Sequence, residues 1–401
     1  MSTPVDAPAS APVSGPGTGA SGVWSTLVGQ RHAVETLRSA VAGHGMTHAW
    51  LFTGPPGCGR SNAAVAFAAA LQCERGTGCG QCHACRTTLA GSHPDVSVTR
   101  TETSVHYIDH MRELVRRAGL HPVENKWQVM VIEDADRLAR GEDTRTANSL
   151  LKAIEEPTPK TVWLLCAPTV EDVLPTIRSR CRHVSLATPT TREVTRFLVE
   201  REGTPEPVAA FAARASQGHI GRARALARDE QTRARRREVV AIPAGLTSLG
   251  ACMNAAANVV DIAREETAAI TERANARDLA ELDALYGDDR KARISRAYRA
   301  GLRDLQHSQK QREKRRVMDV VDRSLMDLLS VYRDAILLQT GGAGDLVNEE
   351  VRDTVADLAR RTTPESNLRR IDAVFAARQQ MQEFNATPLL ALESMMVALR
   401  V

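Results

Sequence analysis

Eight consecutive residues, Gly54-Pro55-Pro56-Gly57-Cys58-Gly59-Arg60-Ser61, carry the spacing G-x-x-x-x-G-[K/R]-S. The apolar run Ala49-Trp50-Leu51-Phe52 precedes them, and an Ala-rich helical stretch from Asn62 to Leu71 follows. Strand, glycine turn and helix in that order are the context of a phosphate-binding loop. The glycines let backbone N–H groups turn inward on an anion, and the helix N-terminus behind them adds about half a positive charge. The nucleotide-binding set read from the motif is Gly54, Gly57, Gly59, Arg60, Ser61 and Asn62. At one place the motif needs Lys, a compact charge that reaches between the terminal phosphates, and the chain has Arg60. The planar fork on a longer stem is no substitute at a packed phosphate site. ATP with Mg²⁺ is therefore expected to bind weakly or not at all, and fast hydrolysis is not expected.

Downstream, Glu133-Asp134 closes the apolar-rich strand Trp127–Ile132, where a Walker B acidic pair belongs. Carboxylates there hold Mg²⁺ and orient the attacking water. The usual order is Asp then Glu; the reversal draws the second carboxylate back by about one methylene. A strand-end acidic pair that merely caps a helix is the plainer reading of these two residues alone.

The strongest local signal is Cys73-x5-Cys79-x2-Cys82-x2-Cys85, four thiols within thirteen residues. It suits a closed tetrahedral zinc held by four thiolates, hence a structural site whose binding energy is folding energy. Two other readings stay open: a redox dithiol, and c-type haem attachment at Cys79-Gly80-Gln81-Cys82-His83. Cys58, Cys166, Cys181 and Cys252 lack ligand spacing and read as small core or loop residues. Ser179-Arg180-Cys181 lies in a stretch, Pro175–Arg182, that reads as a loop after a core strand. Arg180 is either a solvated charge or an arginine presented to a neighbour's nucleotide. Residues Arg290–Arg316 hold eleven Lys/Arg against two carboxylates, the makings of a solvated helix face or of a track for a phosphate backbone.

The elements that position these residues alternate. Strands at Ala49–Phe52, Val96–Val98, Trp127–Ile132 and Val162–Cys166 are separated by helical patterns, among them Val34/Leu37/Ala40/Val41, Ile108/Met111/Leu114/Val115 and Leu150/Leu151/Ile154. That alternation predicts an α/β domain with a parallel sheet covered on both faces and ligands at the carboxyl ends of its strands. After about Leu186 strand signals stop. Thr190–Arg237 reads as a small helical module, Pro243-Ala244-Gly245 as a linker, and Leu246–Val401 as a helical bundle for packing or assembly. A chain of 401 residues accommodates such a division into two or three domains. The net charge of +4 permits contact with nucleic acid without arguing for it. Met1–Gly22, rich in Pro, Ala, Ser and Gly, reads as a disordered tail without the features of a signal peptide. No apolar run approaches the ~20 residues of a membrane span, so nothing is expected to cross a membrane; the expected location is cytoplasmic and nucleoid-associated.

Taken in order, Gly29-Gln30, the Ala49–Ser61 loop, the four cysteines, Asn148-Ser149-Leu150-Leu151-Lys152-Ala153-Ile154-Glu155-Glu156-Pro157 and Ser179-Arg180-Cys181 resemble the bacterial clamp-loader subunits of DNA polymerase III, and among them the delta-prime type. The resemblance is specific over 23–187, weaker to about 240 and faint beyond, where Asn385-Ala386-Thr387-Pro388-Leu389-Leu390-Ala391-Leu392-Glu393 is similar to the family's closing motif. It implies a AAA+ module (23–187), a helical lid (188–242) and a helical collar (243–401). It implies zinc on Cys73, Cys79, Cys82 and Cys85, and Arg180 as a finger toward the ATP of an adjacent motor subunit. The implied partners are the gamma/tau motor subunits and the delta subunit, with the sliding clamp and primed DNA reached through the complex. Against the family's motor subunits the chain departs at Arg60 and at Glu133-Asp134. It departs again after the Leu164-Leu165-Cys166 strand, where Thr169 is the first polar candidate for the sensor, and in the lid, where the sensor arginine falls on Gly221 with Arg222 one step away. These departures favour a stator over a motor ATPase, and both over a zinc-bearing DNA-binding module.

Overall fold

The computed structural model describes residues 22–99, 107–124, 126–138, 144–286, 296–382 and 386–400. The tail expected over Met1–Gly22 lies, Gly22 aside, outside the described residues, as do residues 290–295 of the basic segment and Asn385.

Five parallel strands form the sheet: β1 (Ala49–Thr53), β2 (Val96–Thr99), β3 (Gln128–Ile132), β4 (Thr161–Ala167) and β5 (Arg182–Ser185), in the order β2-β3-β4-β1-β5. Because successive side chains point to opposite faces, the apolar runs feed two cores. Trp50, Phe52, Val129, Val131, Leu164 and Cys166 face one side, covered by α1 (Arg31–Val41), α2 (Arg60–Gln72) and α3 (His83–Leu89). Leu51, Met130, Ile132, Trp163 and Leu165 face the other, covered by α4 (Tyr107–Ala118), α5 (Thr144–Glu155) and the single turn α6 (Pro175–Arg178). Phe67 of α2 meets Trp50 edge-on, with ring centroids 5.0 Å apart. The expected loop over Pro175–Arg182 is corrected here. It is α6, opened by Pro175 at its first position, then a turn, then the start of β5. β5 is an edge strand in which only Val184 is buried, so it has too little apolar patterning to announce itself.

A small helical module follows, with α7 (Thr191–Glu202), α8 (Glu206–Ser216) and α9 (Ile220–Arg228). Thr190 and Glu193 close a capping box at the start of α7. Val194, Leu198, Ala212, Ala213, Ala223 and Leu226 make the module's own core. The remainder is helical: α10 (Glu230–Gly245), α11 (Leu249–Tyr286), α12 (Arg296–Thr340), α13 (Arg352–Arg361), α14 (Pro364–Gln382) and α15 (Pro388–Leu399). Pro243-Ala244-Gly245 is not a linker but the last turn of α10. Pro243 forfeits the bond to the carbonyl four residues back and its ring crowds that carbonyl, while the residue itself is buried with Val239, Val240 and Leu246.

Between the module and the helical region lies a buried polar joint. Arg236, 3 % exposed, donates to Asp327 at 3.2 Å and also pairs with Glu350. Asp327 pairs as well with Arg222 of α9. Asp334, fully buried, accepts from the amides of Val347 (3.1 Å) and Asn348 (2.8 Å). With every charge partnered, this joint fixes the module against α12, since removing one partner of such a pair costs about 3–5 kcal/mol. Among the described residues no helix is long and apolar enough to cross a membrane.

Candidate functional site

The phosphate loop joins the carboxyl end of β1 to α2. Gly57 (φ +82°) and Gly59 (φ +100°) hold left-handed backbone that L side chains rarely adopt, which is why the turn needs glycine at these places. Gly59 is the N-cap of α2 and offers no side-chain cap, and the Arg60 amide of the first turn is directed at the Cys58 thiol. The glycine turn is thus formed. Gln30, 4 % exposed, braces it from below. Its amide donates to the carbonyls of Ala187 (2.7 Å) and Cys58 (3.4 Å) and accepts from the Ala187 amide (3.0 Å). The Gly54 amide donates to the Pro168 carbonyl at 3.1 Å.

From above, the helical module sits directly on the loop. The Ile220 amide donates to the Gly57 carbonyl at 3.1 Å. The His219 ring lies so close that a Cβ on Gly57 would fall 2.1 Å from its Cγ. His219 also caps α9, its Nδ1 accepting from the Arg222 amide at 3.2 Å. Burial holds its pKa below the usual histidine range, helped by the charges of Arg222 and Arg323, so the ring is neutral at pH 7. Gly221, the position expected for the sensor arginine, lies beside this ring, while the guanidinium of Arg222 is bound to Asp327.

The charges of Arg60, Glu133 and Asp134 all act on the buried Cys166 of β4. Burial raises that thiol's pKa, the two carboxylates raise it further, and Arg60 opposes them. The Nη1 of Arg60 is buried without a hydrogen-bond partner. Glu133 continues from β3 with its amide bonded to the Thr99 carbonyl at 3.1 Å. Asp134 lies 3.5 Å from Arg315 of α12. Thr169 is spent on a local turn: its amide and hydroxyl both donate to Asp172, at 3.0 and 2.9 Å.

Ser179-Arg180-Cys181 follow α6. Arg180 is 38 % exposed, pairs with Glu155 of α5 at 2.7 Å, and donates to the Thr176 carbonyl (2.8 Å) and the Ser179 hydroxyl (3.1 Å). Ser179 donates to the Thr176 carbonyl at 3.1 Å. Cys181 packs inward, and burial pushes its thiol up to about 12.

The four cysteine sulfurs Cys73, Cys79, Cys82 and Cys85 lie within 4.8 Å of one another. Zn–S bonds of ~2.3 Å in a tetrahedron place sulfurs ~3.8 Å apart, so this set could hold one metal ion with modest tightening. Cys73 ends α2 and Cys82 caps α3; Gly76, Gly78 and Gly80 make the intervening turns with φ near +70°. Backbone amides point at the sulfurs: Cys79 N–H at Cys73 and Cys82 N–H at Cys79, each 3.4 Å, and Cys85 N–H at Cys82, 3.5 Å. Burial pushes the Cys73 thiol up, but amides of Cys79, Thr77 and Arg75 outweigh it and bring it to about 6. Amides of Gln81 and Cys82 lower Cys79 as well. Donors aimed at sulfur are what thiolate ligands need. The haem reading fits poorly, because the sulfurs of Cys79 and Cys82 turn toward Cys73 and Cys85 and His83 is exposed. The knuckle is anchored to the start of the fold by Val23 N–H to the Gly78 carbonyl (2.9 Å) and Trp24 Nε1 to the Thr77 carbonyl (3.0 Å).

Sequence reasoning did not assign roles to Gln30, His219, Glu155 or Arg315. The partners of Gln30 and Arg315 lie 157 and 181 residues away in the chain, so no local pattern gives these two residues their roles.

Residues 29–190 match the family described as DNA polymerase III, delta subunit, and residues 318–400 match the family of its C-terminal part. The chain is 36 % identical over 153 residues to DNA polymerase III subunit delta' of Pseudomonas aeruginosa, covering 37 % of this chain and 45 % of that one. It is 34 % identical over 199 residues to subunit delta' of Yersinia pestis, covering 47 % and 54 %. It is also 32 % identical over 187 residues to subunit gamma/tau of Mycobacterium tuberculosis, covering 45 % and 32 %. The match thus spans about a third of the gamma/tau relative and about half of each delta' relative. With the parallel sheet, the phosphate loop at its carboxyl edge and the helical C-terminal region, these matches place the chain: it belongs to the clamp-loader subunit family of DNA polymerase III.

Proposed function

We propose that this chain is a non-motor, delta-prime-type subunit of a cytoplasmic clamp loader. In this reading a AAA+ module (23–187) bears a structural zinc on Cys73, Cys79, Cys82 and Cys85. A lid (188–242) and a collar (243–401) complete it. It assembles with gamma/tau motor subunits and a delta subunit, acts through them on the sliding clamp and primed DNA, and offers Arg180 to a neighbour's ATP. The observation that supports this most is the closure of the lid on the phosphate loop. His219 and Ile220 take up the Gly57 face, and the one lid arginine within a step of the sensor position is bound to Asp327 instead. Arg60 in place of Lys, and an acidic pair whose Asp134 faces Arg315, remove the remaining tools of hydrolysis.

A gamma/tau-like motor is the second reading, favoured by the N-terminus of α2, which has no side-chain cap and attracts an anion. Steady-state ATP turnover by the purified chain, alone and with its partner subunits, separates the two. Background turnover by the chain alone is the expected outcome. Hydrolysis at about 1 s⁻¹ that Ser61→Ala abolishes would establish the motor instead.

A further inference from the structure

We propose that the outward face of α12 between Arg299 and Lys314 is a docking strip for the phosphate backbone of double-stranded DNA. α11 and α12 run antiparallel, held by Arg323–Glu266 (2.7 Å), Gln309–Asn275 (3.2 Å) and Tyr298–Asp283 (2.7 Å). No residue of α12 from Tyr298 to Asp319 is buried, so beyond the core residue Val320 the helix continues as an arm. At 1.5 Å per residue the arm reaches about 36 Å to Arg296. It lies between the two stretches that match the family, 29–190 and 318–400.

Charge is segregated along this arm. Residues 264–286 of α11 hold six carboxylates and three cations, whereas 296–316 of α12 hold eight cations and two carboxylates. The fold itself uses part of the excess: Arg312 pairs with Asp278 of α11, and Arg315 with Asp134. Arg299, Arg303, Lys310 and Lys314 are exposed. With 3.6 residues per turn they share about 60° of arc over about 22 Å of axis, and Asp304 and Glu313 fall to either side. Within the strip Arg299 and Arg303 are like-charged i,i+4 neighbours. A helix face shaped only for solvation alternates sign at that spacing, because like charges there repel. An external polyanion removes the repulsion, and duplex DNA presents one charge per ~1.7 Å of axis along a strip of this length. DNA is the polyanion chosen because the relatives are subunits of DNA polymerase III. The proposal thus rests on the family, not on the non-motor reading, and does not involve the nucleotide site.

The test is fluorescence anisotropy of a labelled duplex titrated with the intact chain over a range of salt. Replacing Arg299, Arg303, Lys310 and Lys314 by Gln should lower the slope of log K against log salt by about 3–4, at ~0.9 per phosphate contact. A milder variant, Arg303→Gln with Lys310→Gln, should lower it by about 2 and guards against misfolding of the fuller one. A control with Gln at the exposed Arg192, Arg196, Arg201 and Arg369 removes the same charge and should leave the slope unchanged. Three results would overturn the proposal: no salt-dependent duplex binding by the wild type, equal losses in control and strip variants, or binding to anionic phospholipid vesicles but not to duplex.

Discussion

Arg180 is held by its own chain, through Glu155 and the Thr176 carbonyl, and must leave at least the first to reach a neighbouring nucleotide. Both partners of the ion pair are well exposed, so it contributes only ~0–1 kcal/mol and is readily exchanged for a phosphate. Arg180→Ala should therefore leave fold and metal content intact while lowering DNA-stimulated ATPase of the reconstituted complex by roughly one site's share, since a finger in trans is worth ~10³–10⁵ in rate. Glu155→Gln should not lower it. Arg180→Lys should recover little, a point charge on a shorter stem being unable to reproduce the fork. Wild-type turnover by the Ala variant would show that Arg180 is no finger. At this scale the sequence was legible where chemistry is contiguous. The phosphate loop and the cysteine cluster each occupy one short run, and their residue types alone narrow the chemistry to a few readings. The counter-ions Glu155, Asp327 and Arg315 were not legible, because their partners are set by how whole elements cross.

The knuckle between α2 and α3 is an element without a core of its own: two short connections, three glycines at positive φ and four inward sulfurs. In the proposed reading its order comes from a metal on the four cysteines, together with the anchoring of Val23 and Trp24. Elemental analysis of protein purified without chelator should find one zinc per chain. Cys82→Ala, which removes both a ligand and the cap of α3, should abolish it. The sheet should survive, because its two cores are built mostly from other residues, so loss should show as faster amide exchange over residues 73–91 rather than global unfolding. Acidification should release the metal, because protons compete for each thiolate. Absence of zinc from the wild-type protein would rule the site out. Strands β1, β3 and β4 were readable for the opposite reason, their continuous apolar runs being the mark of burial on both faces. β5 and the last turn of α10 were not, since one buried valine and a proline give no such mark.

At the scale of the molecule, the C-terminal helices enclose a core yet leave apolar residues outside it in register. Leu368 and Phe375 lie seven residues apart on α14, and Leu390 and Val397 likewise on α15, all between 41 % and 64 % exposed. Seven residues bring a side chain back to the same helix face, so each of these adjoining helices presents an apolar stripe. Exposed apolar stripes of this kind mark association surfaces, and in the proposed complex of unlike subunits each stripe would meet a different surface on its neighbour. Truncation before Pro243 is a poor test of this idea, because it would cut α10 and strip Leu246 and its neighbours from the core. Phe375→Glu with Leu390→Glu is the sharper one. As exposed substitutions they should shift the chain's own stability by only ~0.5 kcal/mol each. Burying two charges at a packed interface should weaken entry into the proposed complex with gamma/tau and delta subunits by at least ~30-fold, the scale of losing an interface hot spot. Titration of the variant into a mixture of the partner subunits, followed by sedimentation velocity, reads that affinity directly. Assembly at wild-type affinity would mean that these stripes are not an association surface.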